Sequence, residues 1–161
     1  MSRRSRRYEL LALRLWHALV FGAFVVAYLT GDEDTYDMHF FAGYVVLGAI
    51  ALRLIMAAAA PAGSPLRLAR PSLTPMLERL RGGGKGRNPV FAWMAAIVLF
   101  AVGLAAALGA LADPLVWLED VHEGISEFSL WVVLGHVAVI VFLFQGRRLL
   151  ARLFPHHRPI A

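Results

Sequence analysis

Four histidines lie within or at the ends of long apolar segments, where an imidazole needs a chemical partner. His122 and His136 are 14 residues apart in one such segment. At 1.5 Å and 100° per residue, a helix would place them about 21 Å apart on the same face. A polar ring in the hydrocarbon of a membrane is costly unless it is paired, so such residues usually serve a function. His17 and His39 occupy two further apolar segments, and the four rings are therefore the first candidates for a functional site.

The elements that would carry these histidines are apolar segments of about 20 residues, the length that crosses a bilayer as a helix. There are four of them, at residues 10–30, 39–60, 90–112 and 122–145. Hydrophobic residues make up 59% of the 161-residue chain, which is too many for an ordinary soluble domain. We predict an all-α fold in which residues 1–161 form a single domain, an integral membrane four-helix bundle.

Charged residues alternate between the connections of this predicted bundle. Three stretches hold every Lys and Arg except Arg53: residues 1–14, the loop 61–89 and the tail after Gln145. The other two connections, Gly31–Met38 and Asp113–Val121, contain acidic residues and no Lys or Arg. By the positive-inside rule, both termini and the loop 61–89 are expected in the cytoplasm. A nucleic-acid-binding protein would gather its basic residues on a polar domain, so no nucleic-acid partner is expected.

The depths of the four histidines in the predicted helices sort them into two pairs. The second and fourth helices run in the same direction, so His39 and His122 both lie near the outer ends of their helices. His17 and His136 lie deeper, toward the cytoplasmic ends. Arg53 follows His39 by 14 residues on the same face, which places it roughly level with His136.

Two levels with two imidazoles each would suit a pair of six-coordinate haems, with each iron held by one ring from either side. The chain has no cysteine, which excludes thioether-linked haem. A propionate of the inner haem would neutralise Arg53, although its guanidinium could instead reach toward the cytoplasmic headgroups.

Three other interpretations of the histidines remain. A single intramembrane histidine is often a hydrogen-bonded packing residue. A proton relay usually draws on Asp or Glu within the membrane, and the middle of these segments has neither. A metal-ion transporter would need ligands that converge on one point, whereas these separate into two layers.

Four stretches of the sequence resemble the bacterial cytochrome b561 family, which includes the cytochrome b subunits of nickel–iron hydrogenases. They are RLWHALVFGAF, HFFAGYVVLGAIALRL, NPVFAWMAAIV and VHEGISEFSLWVVLGHVAVIVF, and the similarity covers about residues 10–150. The resemblance implies two haem b groups in a multi-pass protein of the bacterial cytoplasmic (inner) membrane. It implies that His17 and His136 ligate the inner haem iron, and that His39 and His122 ligate the outer one.

The resemblance also implies exchange of electrons with the quinone pool, and three functions stay open. The chain could carry electrons to or from a periplasmic partner such as a c-type cytochrome, act as a quinol-dependent superoxide oxidase, or anchor a hydrogenase or similar dehydrogenase subunit in membrane lipid. The acidic outer connections would attract a basic partner and repel the superoxide anion. We assign no catalytic residue, and Glu123, Glu127 or Arg53 could serve a quinone.

Overall fold

The fold, given by a computed structural model that describes residues 3–81 and 89–146, has helices as its only regular secondary structure over those residues. Five α-helices follow one another: α1 (Arg3–Leu29), α2 (Tyr36–Ala59), α3 (Leu73–Leu80), α4 (Val90–Ala112) and α5 (Glu119–Val141). Short 3-10 turns precede α2 at Glu33–Thr35 and α5 at Val116–Leu118, and a π-helical turn follows α5 at Phe142–Gly146. The described residues form no strand, so the prediction of an all-α fold is confirmed for them.

Four of these helices, α1, α2, α4 and α5, are long and apolar enough to cross a membrane. The shortest of them have 23 residues, which span about 34 Å at 1.5 Å per residue and exceed the hydrocarbon thickness of about 30 Å. The prediction of four segments with the length and composition to cross a membrane is confirmed. The four helices indicate a membrane protein.

The helix bounds differ from the predicted segments mainly at the ends. The helix α1 begins at Arg3 instead of residue 10, because its basic first turns continue the helix and the Ser5 hydroxyl donates a hydrogen bond to the Glu9 carboxylate at 3.1 Å. The helix α5 begins at Glu119 and leaves α-helical geometry after Val141. The tail histidines, His156 and His157, lie outside the described residues.

The long helices pack in chain order, α1 against α2, α2 against α4 and α4 against α5. Their common core centres on Val46, Ile50 and Val102. At Gly103 in α4, an added Cβ would lie 3.3 Å from Cγ2 of Ile50, so glycine allows α2 and α4 to approach closely, as small residues do between membrane helices. Large side chains on the outer surfaces stay exposed; Phe100, for example, is 71% exposed.

The bundle has a basic end and an acidic end. The basic end consists of the start of α1 and the connection from α2 to α4, which are joined where the Ser64 hydroxyl donates to the Glu9 carboxylate at 2.8 Å. The acidic end consists of the two short connections at residues 31–35 and 113–118. Because α2 and α5 both run from the acidic end to the basic end, they carry His39 and His122 at one level.

Candidate functional site

The first pair of histidines, the outer pair, meets near the acidic end. His39 lies in the first turn of α2 and His122 in the first turn of α5. Their ring centres are 6.0 Å apart and the ring planes make an angle of 72°. Metal–imidazole bonds are about 2 Å long and a ring nitrogen lies about 1 Å from the ring centre, so two rings that bind one metal from opposite sides have centres about 6 Å apart. The distance between the two ring centres is therefore compatible with one metal bound between the rings.

Each ring of the outer pair is held by a backbone carbonyl of a neighbouring helix. Nδ1 of His39 donates to the carbonyl oxygen of Ala27 in α1 at 2.7 Å, and Nδ1 of His122 donates to that of Ala105 in α4 at 3.0 Å. Because a carbonyl oxygen only accepts, the ring hydrogen is on Nδ1 and the lone pair of each neutral ring is on Nε2. Metal-binding histidines are usually held by such a bond, which fixes the tautomer.

Gly109 in α4 gives His122 the room to reach the Ala105 carbonyl. A Cβ at residue 109 would lie 2.8 Å from Cε1 of His122 and 3.2 Å from each of its ring nitrogens. In an α-helix the N–H of residue 109 points at the carbonyl of residue 105, so the imidazole crosses α4 where only glycine leaves space. Sequence reasoning missed Gly109 because the Gly and Ala residues of α4 all suit helix packing equally well.

A cavity of about 690 Å³ surrounds the outer pair. Its volume falls within the range of about 300–1,000 Å³ that is common for cofactor sites. Gly43, one turn after His39, lies in its wall, and nothing lies within 4 Å of the place that its Cβ would take. Tyr36 stacks on His39 with ring centres 6.1 Å apart. Glu123 and Glu127 also line the cavity. That they serve a quinone stays a prediction.

The second pair, the inner pair, consists of His17 in α1 and His136 in α5. Nδ1 of His17 donates to the carbonyl oxygen of Leu13 in the same helix at 2.8 Å. Nδ1 of His136 is buried and has no hydrogen-bond partner among the described residues. A buried polar group without a hydrogen bond costs about 1–3 kcal/mol of folding free energy. Within the described part of the chain, the inner pair therefore has one ring nitrogen that still needs a hydrogen-bond partner.

Arg53 lies beneath the connection from α2 to α4, next to the inner pair. Its side chain is 6% exposed, and Nη1 donates to the carbonyl oxygen of Leu66 at 2.7 Å. Its guanidinium carbon lies 5.8 Å from the ring centre of Trp16, a cation–π contact. The Trp16 indole N–H in turn donates to the Ala49 carbonyl at 2.7 Å, and its ring packs edge-on against His17 at 4.9 Å. Arg53 is thus connected to His17 through one aromatic ring.

Sequence reasoning did not predict that Arg53 would donate a hydrogen bond to the Leu66 carbonyl. The other N–H groups of Arg53 donate to no residue that the structure describes, so the contact of Arg53 with a haem propionate stays a prediction.

No family model, no curated protein and no solved structure matches this chain.

The donor atoms of the two histidine pairs indicate which kind of cofactor they could hold. Within residues 3–81 and 89–146, no three His, Cys, Asp or Glu side chains converge as a metal-ion site would require. Two imidazoles beside an open cavity instead match the donor chemistry of a haem site, in which the porphyrin supplies four ligands and the protein would supply two. The residues of the outer pair therefore fit a haem, and those of the inner pair provide the same two donors.

Proposed function

We propose that this chain is a di-haem b-type transmembrane cytochrome that carries electrons between the quinone pool and a redox protein. The observation that carries the proposal is the outer pair. His39 and His122 have ring centres 6.0 Å apart, and each Nδ1 is held by a backbone carbonyl. This arrangement fixes both rings in the tautomer that binds iron through Nε2.

The proposal places the four long helices across the bacterial cytoplasmic membrane, with their outer faces in contact with lipid. The basic end and both termini would lie in the cytoplasm, and the acidic end in the periplasm. The support is the distribution of charge, since the connections at the acidic end contain no Lys or Arg while the loop at the basic end is rich in Arg.

When bound, each haem supplies an iron that accepts and returns a single electron. His39 and His122 would hold the outer haem, and His17 and His136 the inner one. The carbonyl that accepts a hydrogen bond from Nδ1 makes an imidazole more basic and orients it. Arg53 would keep a positive charge beside the inner pair, where it favours binding of a propionate.

Small and medium-sized buried side chains lie between the levels of the two pairs. Ser129 is midway between His122 and His136 in α5 and is 1% exposed. Its hydroxyl donates to the carbonyl oxygen of Ser126 at 2.8 Å, so it needs no water partner. Val46 and Val102 fill the same layer and are each 3% exposed. Val46 and Val102 also line the cavity at the outer pair and make this part of its wall apolar, and apolar surroundings are one way that a protein sets redox potentials.

A partner is expected at the acidic end, close to the outer pair. Its two connections and the first turns of α2 and α5 contain seven acidic residues: Asp32, Glu33, Asp34, Asp37, Asp113, Glu119 and Asp120. Such a surface would steer a redox protein with a basic face, for example a c-type cytochrome, into contact. The resemblance to the cytochrome b561 family supports quinone as the other reactant.

The direct test is a reduced-minus-oxidised spectrum of the purified protein, with haem quantified as the pyridine haemochrome. We expect haem b at two groups per chain, and reduction of both by a quinol in reconstituted membranes. A protein that is colourless after expression with ample haem, or that holds one haem per chain, would contradict the proposal.

A second prediction concerns Arg53. Replacing Arg53 with leucine removes a buried positive charge beside the inner pair, so the oxidised, more positive haem becomes relatively more stable there. We expect the midpoint potential of one haem to fall by on the order of 50 mV, while that of the other stays in place. The Arg53→Lys variant keeps the charge and serves as the control. An unchanged redox titration of Arg53→Leu would show that Arg53 only holds the loop.

A further inference from the structure

The connection from α2 to α4 is tied to the bundle at three points before α3 begins. The Ser64 hydroxyl donates to Glu9 of α1, and Ser64 is 7% exposed. The Leu66 carbonyl accepts a hydrogen bond from Arg53 of α2. The Ser72 carbonyl, directly before α3, accepts one at 3.3 Å from the indole N–H of Trp93. The start of α3 therefore has a fixed place beside the first turn of α4.

That place is at the boundary between membrane and water. Trp93 lies in the first turn of α4, a helix that is apolar enough to cross a membrane and begins at Val90. Tryptophan at the end of such a helix typically lies at the level of the lipid headgroups. Because the Trp93 indole is bonded to Ser72, α3 begins at that level too.

The helix α3 presents an apolar face that the described parts of the chain leave uncovered. Leu73 and Leu77, one turn apart, are 63% and 51% exposed, and the polar residues Thr74 and Glu78 lie about 100° further round the helix. Exposed leucines at this spacing in a polar connection are typical of helices that lie in the membrane surface.

Positive charge surrounds this apolar face. Arg67, Arg70 and Arg81 flank α3, are exposed, and form no ion pair with any residue that the structure describes. The loop 61–89 contains Arg79, Lys85 and Arg87 as well, and Glu78 is its one acidic residue. Arginines beside an apolar helix face are what an anionic phospholipid surface attracts.

We propose that α3 is an interfacial helix that docks Leu73 and Leu77 into a leaflet of anionic phospholipid, with Arg67, Arg70 and Arg81 on the headgroups. The inference depends on the part of the proposed function that places the long helices in a bilayer, and it does not depend on haem. A basic residue near an anionic surface contributes about a fivefold gain in binding, so the three arginines together favour the docked state by on the order of 100-fold.

The absence of cysteine from the sequence makes single-cysteine variants of the full chain informative. Leu77→Cys places a thiol on the apolar face, and Glu78→Cys places one about 100° further round the same turn, outside that face. Phe100→Cys, at a residue of α4 that is 71% exposed, reports whether the long helices are in the bilayer at all. Each variant is reconstituted into vesicles of phosphatidylcholine alone or with phosphatidylglycerol, and its reaction with a membrane-impermeant maleimide is timed from the side of the basic end.

We expect Leu77→Cys to react at least about tenfold more slowly in the phosphatidylglycerol vesicles than in phosphatidylcholine, and Glu78→Cys to react at similar rates in both. Replacing Arg67, Arg70 and Arg81 with glutamine should abolish the difference.

Other outcomes would overturn the docking proposal. Equal rates at residues 77 and 78 would do so, as would protection of residue 77 that is the same in neutral lipid. Protection that grows with the protein-to-lipid ratio would identify a second copy of the chain as the occupant instead. If Phe100→Cys itself reacts, the placement of the helices in the bilayer fails; if it is protected while residue 77 is not, docking alone fails.

Discussion

Replacing His122 with alanine is expected to remove one of two haems and leave the other in place. The ring centres of His122 and His39 are 6.0 Å apart near the acidic end, whereas His136 lies 14 residues further along α5, about 21 Å away by helical rise. Loss of one proposed ligand at one level should not disturb the other level. About half of the haem absorbance should therefore remain in His122→Ala, and the other half in His136→Ala.

The control for the His122 variant is Ser126→Ala. The Ser126 hydroxyl lies 3.4 Å from Nδ1 of His122, so this change disturbs the same site without removing a proposed ligand, and both haems should stay. Added imidazole provides a second check, because it should restore the lost absorbance in His122→Gly if the missing ring was a ligand. Equal loss of both haems from His122→Ala and from His136→Ala would contradict the model of two levels.

The helices and the levels of the histidines were accessible from the sequence for simple physical reasons. A bilayer imposes a minimum apolar length, and α4 at Val90–Ala112 coincides with the predicted segment. A helix imposes its period, so residues 14 apart share a face. The same two rules place His39 level with His122, and the structure brings these two rings together.

The groups that orient the histidines were not accessible from the sequence. The partners of Nδ1 in His39 and His122 are carbonyl oxygens of Ala27 and Ala105, and every residue has such a carbonyl. Which one is reached depends on how neighbouring helices pack. The bond from Arg53 to the Leu66 carbonyl likewise depends on the path of an irregular connection, which hydrophobic periodicity does not describe.

The outer pair is thus built from all four long helices. The helices α2 and α5 contribute the rings, while α1 and α4 contribute the carbonyls that hold them. Because each carbonyl belongs to a different helix from the ring that it holds, the orientation of the ring depends on the distance between those two helices: α2 and α1 for His39, α5 and α4 for His122. A residue that never touches a bound group can therefore change the site by altering that approach.

Gly109 is the residue at which this dependence should be greatest. In Gly109→Ala the new Cβ would lie 2.8 Å from Cε1 of His122, so the ring must move away from α4 and its hydrogen bond to Ala105 is lost. Loss of such a bond typically weakens metal binding by about 10–100-fold. We expect the haem at the outer pair to bind correspondingly less tightly, and its midpoint potential to rise, because an imidazole without this bond is a weaker donor to iron.

The larger Gly109→Leu variant should lose the outer haem and keep the inner one. The matched control is Gly48→Ala, since nothing lies within 4 Å of the position of that Cβ and Gly48 is likewise inside a long helix. An alanine there should leave both haems and both potentials unchanged. Haem content, redox titration and the electron paramagnetic resonance of each low-spin centre measure the effect. If Gly109→Leu retained two haems with unaltered spectra, His122 would not be held by Ala105 in the working protein, and the outer pair would need another arrangement.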